Sequence, residues 1–213
     1  MVRLSSDRLA LLHKLLAERG IESPADRKIP TRPEDAEIPL SSAQQRLWFL
    51  EQFDPGTSLY NDTLTVRIVS KTFRPDLFQQ AFEYVVERHE LLRTSFHLEG
   101  TTPVQRVNET VRIPFRLEDI RHYPDIRGTL EQMILDDVRE PFLLDEAPLF
   151  NVILFRVDDD EWVFSLATHH IISDAVSYGI IYDELGAVYE TLLMSKTPSL
   201  EPVELQFADY AHW

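Results

Sequence analysis

One stretch in the last third of the chain constrains the fold more than any other. An apolar run at residues 162–167 is followed by the polar sequence THHIISDAVS, residues 168–177. Apolar residues at helical spacing then begin near Val176 and continue to about residue 194. This order predicts a buried strand that delivers polar side chains to the N-terminus of a helix.

The polar sequence carries groups that can do chemistry. His170 and Asp174 are four residues apart, and Ser173 lies between them. An imidazole can transfer a proton, and a nearby carboxylate can fix local geometry. A tight turn with a hydrogen-bonded histidine pair is an equally good interpretation of the spacing alone. A metal site built from His169, His170 and Asp174 is disfavoured, because adjacent side chains on an extended segment point to opposite sides.

Composition excludes several classes of function. The formal charge is −15, from 21 basic and 36 acidic residues, so the chain lacks the basic excess that nucleic-acid binding requires. The absence of cysteine excludes disulfides and thiolate chemistry and fits a reducing, cytoplasmic location. No apolar run has membrane-spanning length and no signal peptide opens the chain, which predicts a soluble protein.

The N-terminus differs from the rest of the chain. Residues 1–33 contain seven basic and four acidic side chains. Leucines at helical spacing predict a helix over residues 6–19, and the prolines of residues 22–39 predict an extended connection. We therefore divide the chain into an N-terminal helix and linker, residues 1–36, and a body, residues 37–213. A docking element is the alternative to a linker.

Strands and helices alternate irregularly in the body, which predicts an α/β fold with a mixed sheet flanked by helices. Ser42 and Gln45 have the spacing of a capping box, so they predict the start of a helix with Leu47, Leu50 and Phe53 on one face. The other predicted helices cover residues 75–92, 126–138 and 176–194, the last with Ile180 among its buried residues, and the predicted strands cover residues 64–68, 94–98, 104–107, 114–117, 149–157 and 161–167.

Four blocks together resemble the condensation domain of nonribosomal peptide synthetases. They read SAQQRLWFL at residues 42–50, RHELLRTSF at 88–96, HHIISDA at 169–175 and FADYAHW at 207–213. The third block is similar to the family's HHxxxDG signature. A single HxxxD motif has low specificity, whereas four blocks in order and at the right spacing are specific. The resemblance covers residues 37–213.

The resemblance implies a fold like that of chloramphenicol acetyltransferase, with two related lobes and an active site between them. The chain is expected to form only the first lobe, with the second lobe absent. The implied reaction joins two carrier-bound substrates through an amide bond. The phosphopantetheine arms would arrive on carrier proteins, so we expect no cofactor or metal bound by the chain itself. The expected partners are donor and acceptor carrier proteins, the second lobe and neighbouring synthetase domains.

The same resemblance assigns roles within the HHIISDA block. It implies that His170 is the catalytic residue, which would position the attacking amine and handle its proton. His169 is expected to pack or to form hydrogen bonds rather than to react. Ser173 and Ala175 are expected to border the substrate channel, and nothing in the sequence marks Ser173 as an activated nucleophile. Ala175 stands where the family motif has glycine, which adds a methyl group near the substrate.

Charged residues of the other blocks are expected to support this loop. By resemblance, Asp174 pairs with an arginine, either Arg46, Arg93 or a residue of the second lobe. A buried, unpaired carboxylate would be too costly. Arg88 and Arg93, at the end of the predicted helix over residues 75–92, are expected to belong to a polar cluster that braces the loop.

Three alternative functions remain open from the sequence. The chain could bind a carrier protein without turning over. It could also be a self-sufficient acyltransferase similar to chloramphenicol acetyltransferase, which completes its site across a trimer interface. An epimerisation domain shares the HHxxxDG signature but differs in the other blocks.

Overall fold

The computed structural model describes residues 28–213, so the predicted helix over residues 6–19 lies outside the described residues. The strands are β1 (Ile38–Pro39), β2 (Asn61–Val69), β3 (Thr94–Glu99), β4 (Thr102–Val107), β5 (Phe115–Asp119), β6 (Phe150–Arg156) and β7 (Glu161–His169). The helices are α1 (Ser42–Phe53), α2 (Pro75–Arg88), α3 (Ile126–Arg139), α4 (Ala175–Leu193) and α5 (Phe207–His212), with a 3₁₀ helix at Glu90–Arg93.

The strands form two sheets. The larger sheet has the order β2-β7-β6-β5, in which β5 and β6 are parallel and the other pairs are antiparallel. The parallel pair is connected through α3, as a parallel pair requires a crossover. The smaller sheet has the antiparallel order β1-β4-β3. The α/β class and the mixed sheet flanked by helices are therefore confirmed, and the division into two sheets was not predicted.

Both faces of the larger sheet are covered. Alternate residues of β6 face opposite sides, so that Val152 and Leu154 belong to a core shared with α2 and α4. Ile153 and Phe155 belong to a second, smaller core against α3. Nearly every residue of β7 is buried for the same reason. The strand that precedes the polar sequence 168–177 is thus fixed on both faces.

Helix α1 differs from its prediction. Ser41, rather than Ser42, is the N-cap, and Gln44, rather than Gln45, completes the capping box. Gln44 is one of the helix's two fully buried residues, whereas Leu50 is 41% and Phe53 is 78% exposed. Of the predicted apolar face, Leu47 packs against the core, whereas Leu50 and Phe53 are left largely open, because the edge that carries Gln44 is turned towards the body.

Helix α4 packs on the sheet through Ile181, Leu185 and Val188. Ile180 was predicted to be buried, but it is 47% exposed because it lies off this face.

Among residues 28–213, no helix is both long enough and apolar enough to cross a membrane.

The connection before β1 contacts the body. The Arg32 guanidinium lies 2.7 Å from a carboxylate oxygen of Glu90 and 3.0 Å from one of Asp209. Only 15% of the Arg32 side chain is exposed. The boundary at residue 36 stays a prediction, but Arg32, inside the expected linker, is fixed to the 3₁₀ helix and to α5.

Candidate functional site

An open cleft lies where α1, the start of α4 and the turn after β7 meet. Its volume is about 590 Å³, and most of its lining is apolar. Leu47 and Arg46 contribute from α1, Val176 and Ile180 from α4, and His170 from the turn. The cleft is therefore the place to which the fold brings the first and third sequence blocks.

The two adjacent histidines face opposite sides of the chain, as strand alternation predicts. His169 is the last residue of β7 and is fully buried, whereas His170 is exposed. The backbone N–H of His170 donates a 2.8 Å hydrogen bond to the carbonyl of Tyr60. Among residues 28–213, no side chain bonds to the His170 ring. Its two nitrogens are thus available to a molecule in the cleft.

His169 is held in one tautomer. Its Nδ1 accepts a 3.0 Å hydrogen bond from the backbone N–H of Ile171, so the proton of the neutral ring is on Nε2. Burial, with a smaller contribution from the nearby His170, lowers the pKa of His169 to about 4. Its Nε2 is buried and has no partner within residues 28–213. His169 is therefore neutral near pH 7 and supports the turn.

Ser173 belongs to a buried set of hydroxyl groups beneath the turn. Its hydroxyl bonds to Thr168, whose own hydroxyl lies 2.7 Å from that of Tyr178. Burial raises the pKa of the Tyr178 hydroxyl. Ser173 lines the cleft, but its bonded partner is another hydroxyl and no base adjoins it. It therefore lacks the activation that a serine nucleophile needs.

Asp174 corrects the sequence prediction. It is exposed and is the N-cap of α4, where its Oδ1 accepts hydrogen bonds from the Ser177 N–H at 2.8 Å and from the Ser177 hydroxyl at 2.7 Å. These bonds lower the pKa of the Asp174 carboxyl. Within residues 28–213, no arginine lies within 4 Å of it, so the predicted pairs with Arg46 and Arg93 are wrong. A partner from a second lobe stays a prediction.

The arginines have other roles. Arg93 donates to the carbonyls of Val86 and Glu87 at the end of α2, and to those of Asn108 and Glu109. It thus caps α2, at the end where the helix dipole favours a cation. Arg46 is exposed on the cleft wall and forms no ion pair with the described part of the chain.

The residues around Arg88 join α2 to α4. The Arg88 Nε lies 3.0 Å from Glu184, and the His89 Nε2 lies 2.7 Å from the second oxygen of the same carboxylate. Arg88 therefore braces the middle of α4 instead of the turn at residues 170–174, and Arg93 does not join it, so the predicted cluster around the turn does not form.

Ala175 is the first residue of α4 and is exposed, but it does not line the cleft. Within residues 28–213, Ser195 is the non-glycine residue with positive φ. The backbone at Ala175 therefore does not require glycine, and its methyl group is not part of the cleft lining.

Sequence reasoning missed the polar groups that fix the turn from outside it. Gln44 Nε2 donates to the carbonyl of Ile171 at 3.3 Å, and Tyr60 binds the backbone of His170. The capping-box spacing of Ser41 and Gln44 was a signal for the first of these residues, but the sequence contains no signal that Gln44 reaches residue 171.

The family of the chain follows from comparison with known proteins. The model of the condensation domain family matches residues 34–213. The chain belongs to the condensation domain family. The match includes the cleft and all four sequence blocks, so the resemblance inferred from those blocks is confirmed.

Curated relatives of this condensation domain are peptide synthetases. The chain is 33% identical over 213 residues to phosphinothricin tripeptide synthetase PhsC of Streptomyces viridochromogenes, covering 99% of this chain and 19% of the relative. It is 37% identical over 175 residues to bacitracin synthase 2 of Bacillus licheniformis, covering 82% of this chain and 6% of the relative. The chain thus spans less than a fifth of the length of these relatives.

Solved structures agree on the fold. The starter condensation domain of rhizomide synthetase RzmA has a TM-score of 0.73 at 24% identity, over 78% of this chain and 40% of that structure. The first condensation domain of the calcium-dependent antibiotic synthetase, in complex with a substrate analogue, has a TM-score of 0.73 at 23% identity, again over 78% and 40%. This condensation-domain chain therefore corresponds to less than half of the solved domains.

Proposed function

We propose that the chain is the first lobe of a condensation domain that forms an amide bond between a carrier-bound acyl or peptidyl donor and a carrier-bound aminoacyl acceptor. His170 is the catalytic residue of this proposal. The observation that carries it is the exposure of the His170 ring on the cleft, while its backbone is hydrogen-bonded to Tyr60. The ring is thus open to substrate at a fixed position.

The reaction needs one proton to move. The acceptor amine attacks the thioester carbonyl of the donor, the C–N bond forms, and the C–S bond breaks as the tetrahedral intermediate collapses. The His170 ring takes the proton that the nitrogen loses and returns it to the leaving sulfur. General base catalysis contributes roughly 10²–10⁴-fold. Orientation of the two reactants contributes up to about 7–11 kcal/mol, so His170 is assigned both roles, positioning the amine and handling its proton.

The other polar side chains of the turn are poor candidates for the catalytic role, which supports its assignment to His170. His169 is neutral, buried and committed to the Ile171 N–H. Ser173 bonds to another hydroxyl, and Asp174 is committed to capping α4. His170 is the titratable group of the turn that is both exposed and without a side-chain partner in the described chain.

The proposed substrates arrive on the phosphopantetheine arms of carrier proteins. The names of the relatives, a tripeptide synthetase and a bacitracin synthase, support a role in peptide synthesis. No cofactor of its own belongs to this proposal. We also propose that the protein acts in the cytoplasm, which the absence of cysteine supports.

The cleft is open to solvent. The opposite wall would come from the part of the condensation domain fold that this chain does not cover. Without that wall the acceptor is not held against the donor, and the orientation contribution is lost. We therefore expect residues 1–213 alone to bind a carrier protein weakly at most and to form no detectable amide.

The test replaces His170 in a complete condensation domain that contains this chain. His170→Ala is expected to lower amide formation from loaded carriers by at least about 10²-fold with the fold intact. His122→Ala is the matched control, because His122 is an exposed histidine outside the cleft lining. Wild-type turnover by the His170 variant would refute the assignment. Turnover by the isolated chain would instead favour the self-sufficient acyltransferase.

A further inference from the structure

The side chain of Gln44 connects three separate parts of the fold. Only 2% of the residue is exposed. Its Nε2 donates to the carbonyl of Ile171 in the turn and to Oε1 of Gln105 on β4, each at 3.3 Å. Its Oε1 accepts a 3.0 Å hydrogen bond from the backbone N–H of Ser41. Both amide hydrogens are therefore used, and the acceptor oxygen is used as well.

Gln105, the partner of Gln44 on β4, is itself held by a further hydrogen bond. Gln105 Nε2 donates to the carbonyl of Pro39 at 2.8 Å, which ties β4 to the segment leading into α1. Gln44 thus has no freedom to follow the turn if the turn moves. A glutamine that served only the capping box would need neither the bond to Gln105 nor the bond to Ile171.

The partner of Gln44 is the residue next to His170. The Ile171 peptide groups are bonded on both sides, the N–H to His169 Nδ1 and the carbonyl to Gln44 Nε2. The N–H of His170 is bonded to Tyr60. Of these bonds, the one from Gln44 is the link between the turn and α1, and α1 forms the facing wall of the cleft.

We propose that Gln44 is a positioning residue for His170: its amide group sets the separation between the α1 wall of the cleft and the turn that carries the imidazole. This inference rests on the proposed function, because it gives Gln44 a role in that same site. Gln44 acts through the Ile171 carbonyl and does not itself react.

The first experiment measures amide hydrogen exchange in the full chain and needs no catalytic reaction. Gln44→Met keeps the side-chain length but removes every hydrogen bond of the amide. Gln44→Glu keeps the acceptor for the Ser41 N–H and removes the donors. Both variants are expected to speed exchange of the N–H groups of residues 170–172 roughly tenfold, because the Ile171 carbonyl loses its buried donor and the turn then opens locally more often.

Asp125→Ala is the matched control. Asp125 is the N-cap of α3, on the other face of the sheet, and accepts a 2.9 Å hydrogen bond from the Gly128 N–H. Removing the Asp125 carboxylate lowers stability, because α3 loses its N-cap, and leaves the residues of the cleft unchanged. Exchange at residues 170–172 should stay at the wild-type rate in this variant. Equal acceleration in the control and in both Gln44 variants would refute a specific link between Gln44 and the turn.

The second experiment measures turnover in a complete condensation domain that contains this chain. The Gln44 variants are expected to lower kcat about 10- to 100-fold, corrected for the folded fraction, and to leave KM for both carriers within about twofold. Unchanged kcat in a wild-type-active domain would refute positioning while the proposed function stands. If the Gln44 variants speed hydrogen exchange but the wild-type domain forms no amide, the proposed function is refuted while the contact between Gln44 and the turn stands. Failure of both variants to fold would show a purely structural role and refute the proposal.

Discussion

The Asp174 carboxylate accepts two hydrogen bonds from one residue, the N–H of Ser177 at 2.8 Å and its hydroxyl at 2.7 Å. The aspartate of the HHIISDA block therefore acts on the helix that follows it. An N-cap removed by alanine costs roughly 0.5–2 kcal/mol, well below the ~3–5 kcal/mol for breaking a buried ion pair.

Asp174→Ala is accordingly expected to lower the free energy of unfolding by about 1 kcal/mol, because one helix cap is lost. Asp174→Asn should recover most of the loss, since an amide oxygen also caps a helix. Urea denaturation of the two variants at pH 7 measures the difference. A loss of ~4 kcal/mol that asparagine does not restore would point to a buried ion pair.

The sequence predicted the part of the site that depends on local periodicity. Strand alternation alone put His169 and His170 on opposite sides, and the third block was placed correctly between a buried strand and a helix. The cap formed by Asp174 and Ser177 was also readable, because the two residues have capping-box spacing. We instead expected Asp174 to form an ion pair with an arginine. That expectation was wrong for Arg46 and Arg93, and the local cap explains the position of Asp174.

The orientation of α1 could not be predicted from the sequence pattern of the helix itself. Apolar spacing placed Leu47, Leu50 and Phe53 on one face of α1, but periodicity does not say how much of that face meets the body, and only Leu47 packs on the core. The side of α1 that meets the body includes Gln44, whose partners Gln105 and Ile171 lie 61 and 127 residues away along the chain. No pattern within one element contains that information.

The depressed pKa of His169 makes stability depend on pH. The folded-state value is about 4, against 6.5 for a free histidine, so the unfolded chain binds more protons between these values. The contribution is fully present above about pH 6.5 and is lost as the pH falls towards 4. The shift corresponds to about 3 kcal/mol.

Urea denaturation between pH 7.5 and 4.5 measures this loss. Carboxylates titrate in the same range, so the comparison is with His169→Asn, which does not titrate but offers an oxygen to the Ile171 N–H. The wild type should lose about 2–3 kcal/mol more than the variant on acidification. Parallel curves for the two proteins would show that His169 does not titrate in this way.

Ala175→Gly tests whether the alanine impairs the family motif. Ala175 is the exposed first residue of α4 and does not line the cleft. The variant is expected to lose no more than ~1 kcal/mol of stability, from lower helix propensity. Amide formation in a complete domain should stay within about twofold. A tenfold gain in turnover would show that the methyl group obstructs the substrate.

The ion pairs of Arg32 are expected to contribute to the stability of the fold. Its partners Glu90 and Asp209 are largely buried, so Arg32→Ala should lower the free energy of unfolding by about 3 kcal/mol. The control is Arg67→Ala, because Arg67 pairs with Glu161 at the surface, where solvent screens the pair and its loss should change stability little.

Limited proteolysis gives a second measurement of the same contact. Cleavage within residues 32–37 is expected to become fast only in Arg32→Ala, because the wild-type segment is fixed at Arg32. Equally fast cleavage within these residues in the wild type would show that the Arg32 pairs do not restrain the connection and would favour a free linker up to residue 36.

The bond between Gln44 and Ile171 has a consequence for the order in which the protein folds. The bond closes a loop of 127 residues, whose ends must meet at an entropic cost before the contact forms, and the Arg32–Asp209 pair spans 177 residues. Contacts of such sequence separation form slowly compared with hairpins such as β6–β7. During synthesis, the histidine turn leaves the ribosome long after α1, which must wait for it with its polar edge unpaired. We therefore expect the cleft to form late in folding, after the β6–β7 hairpin of the larger sheet.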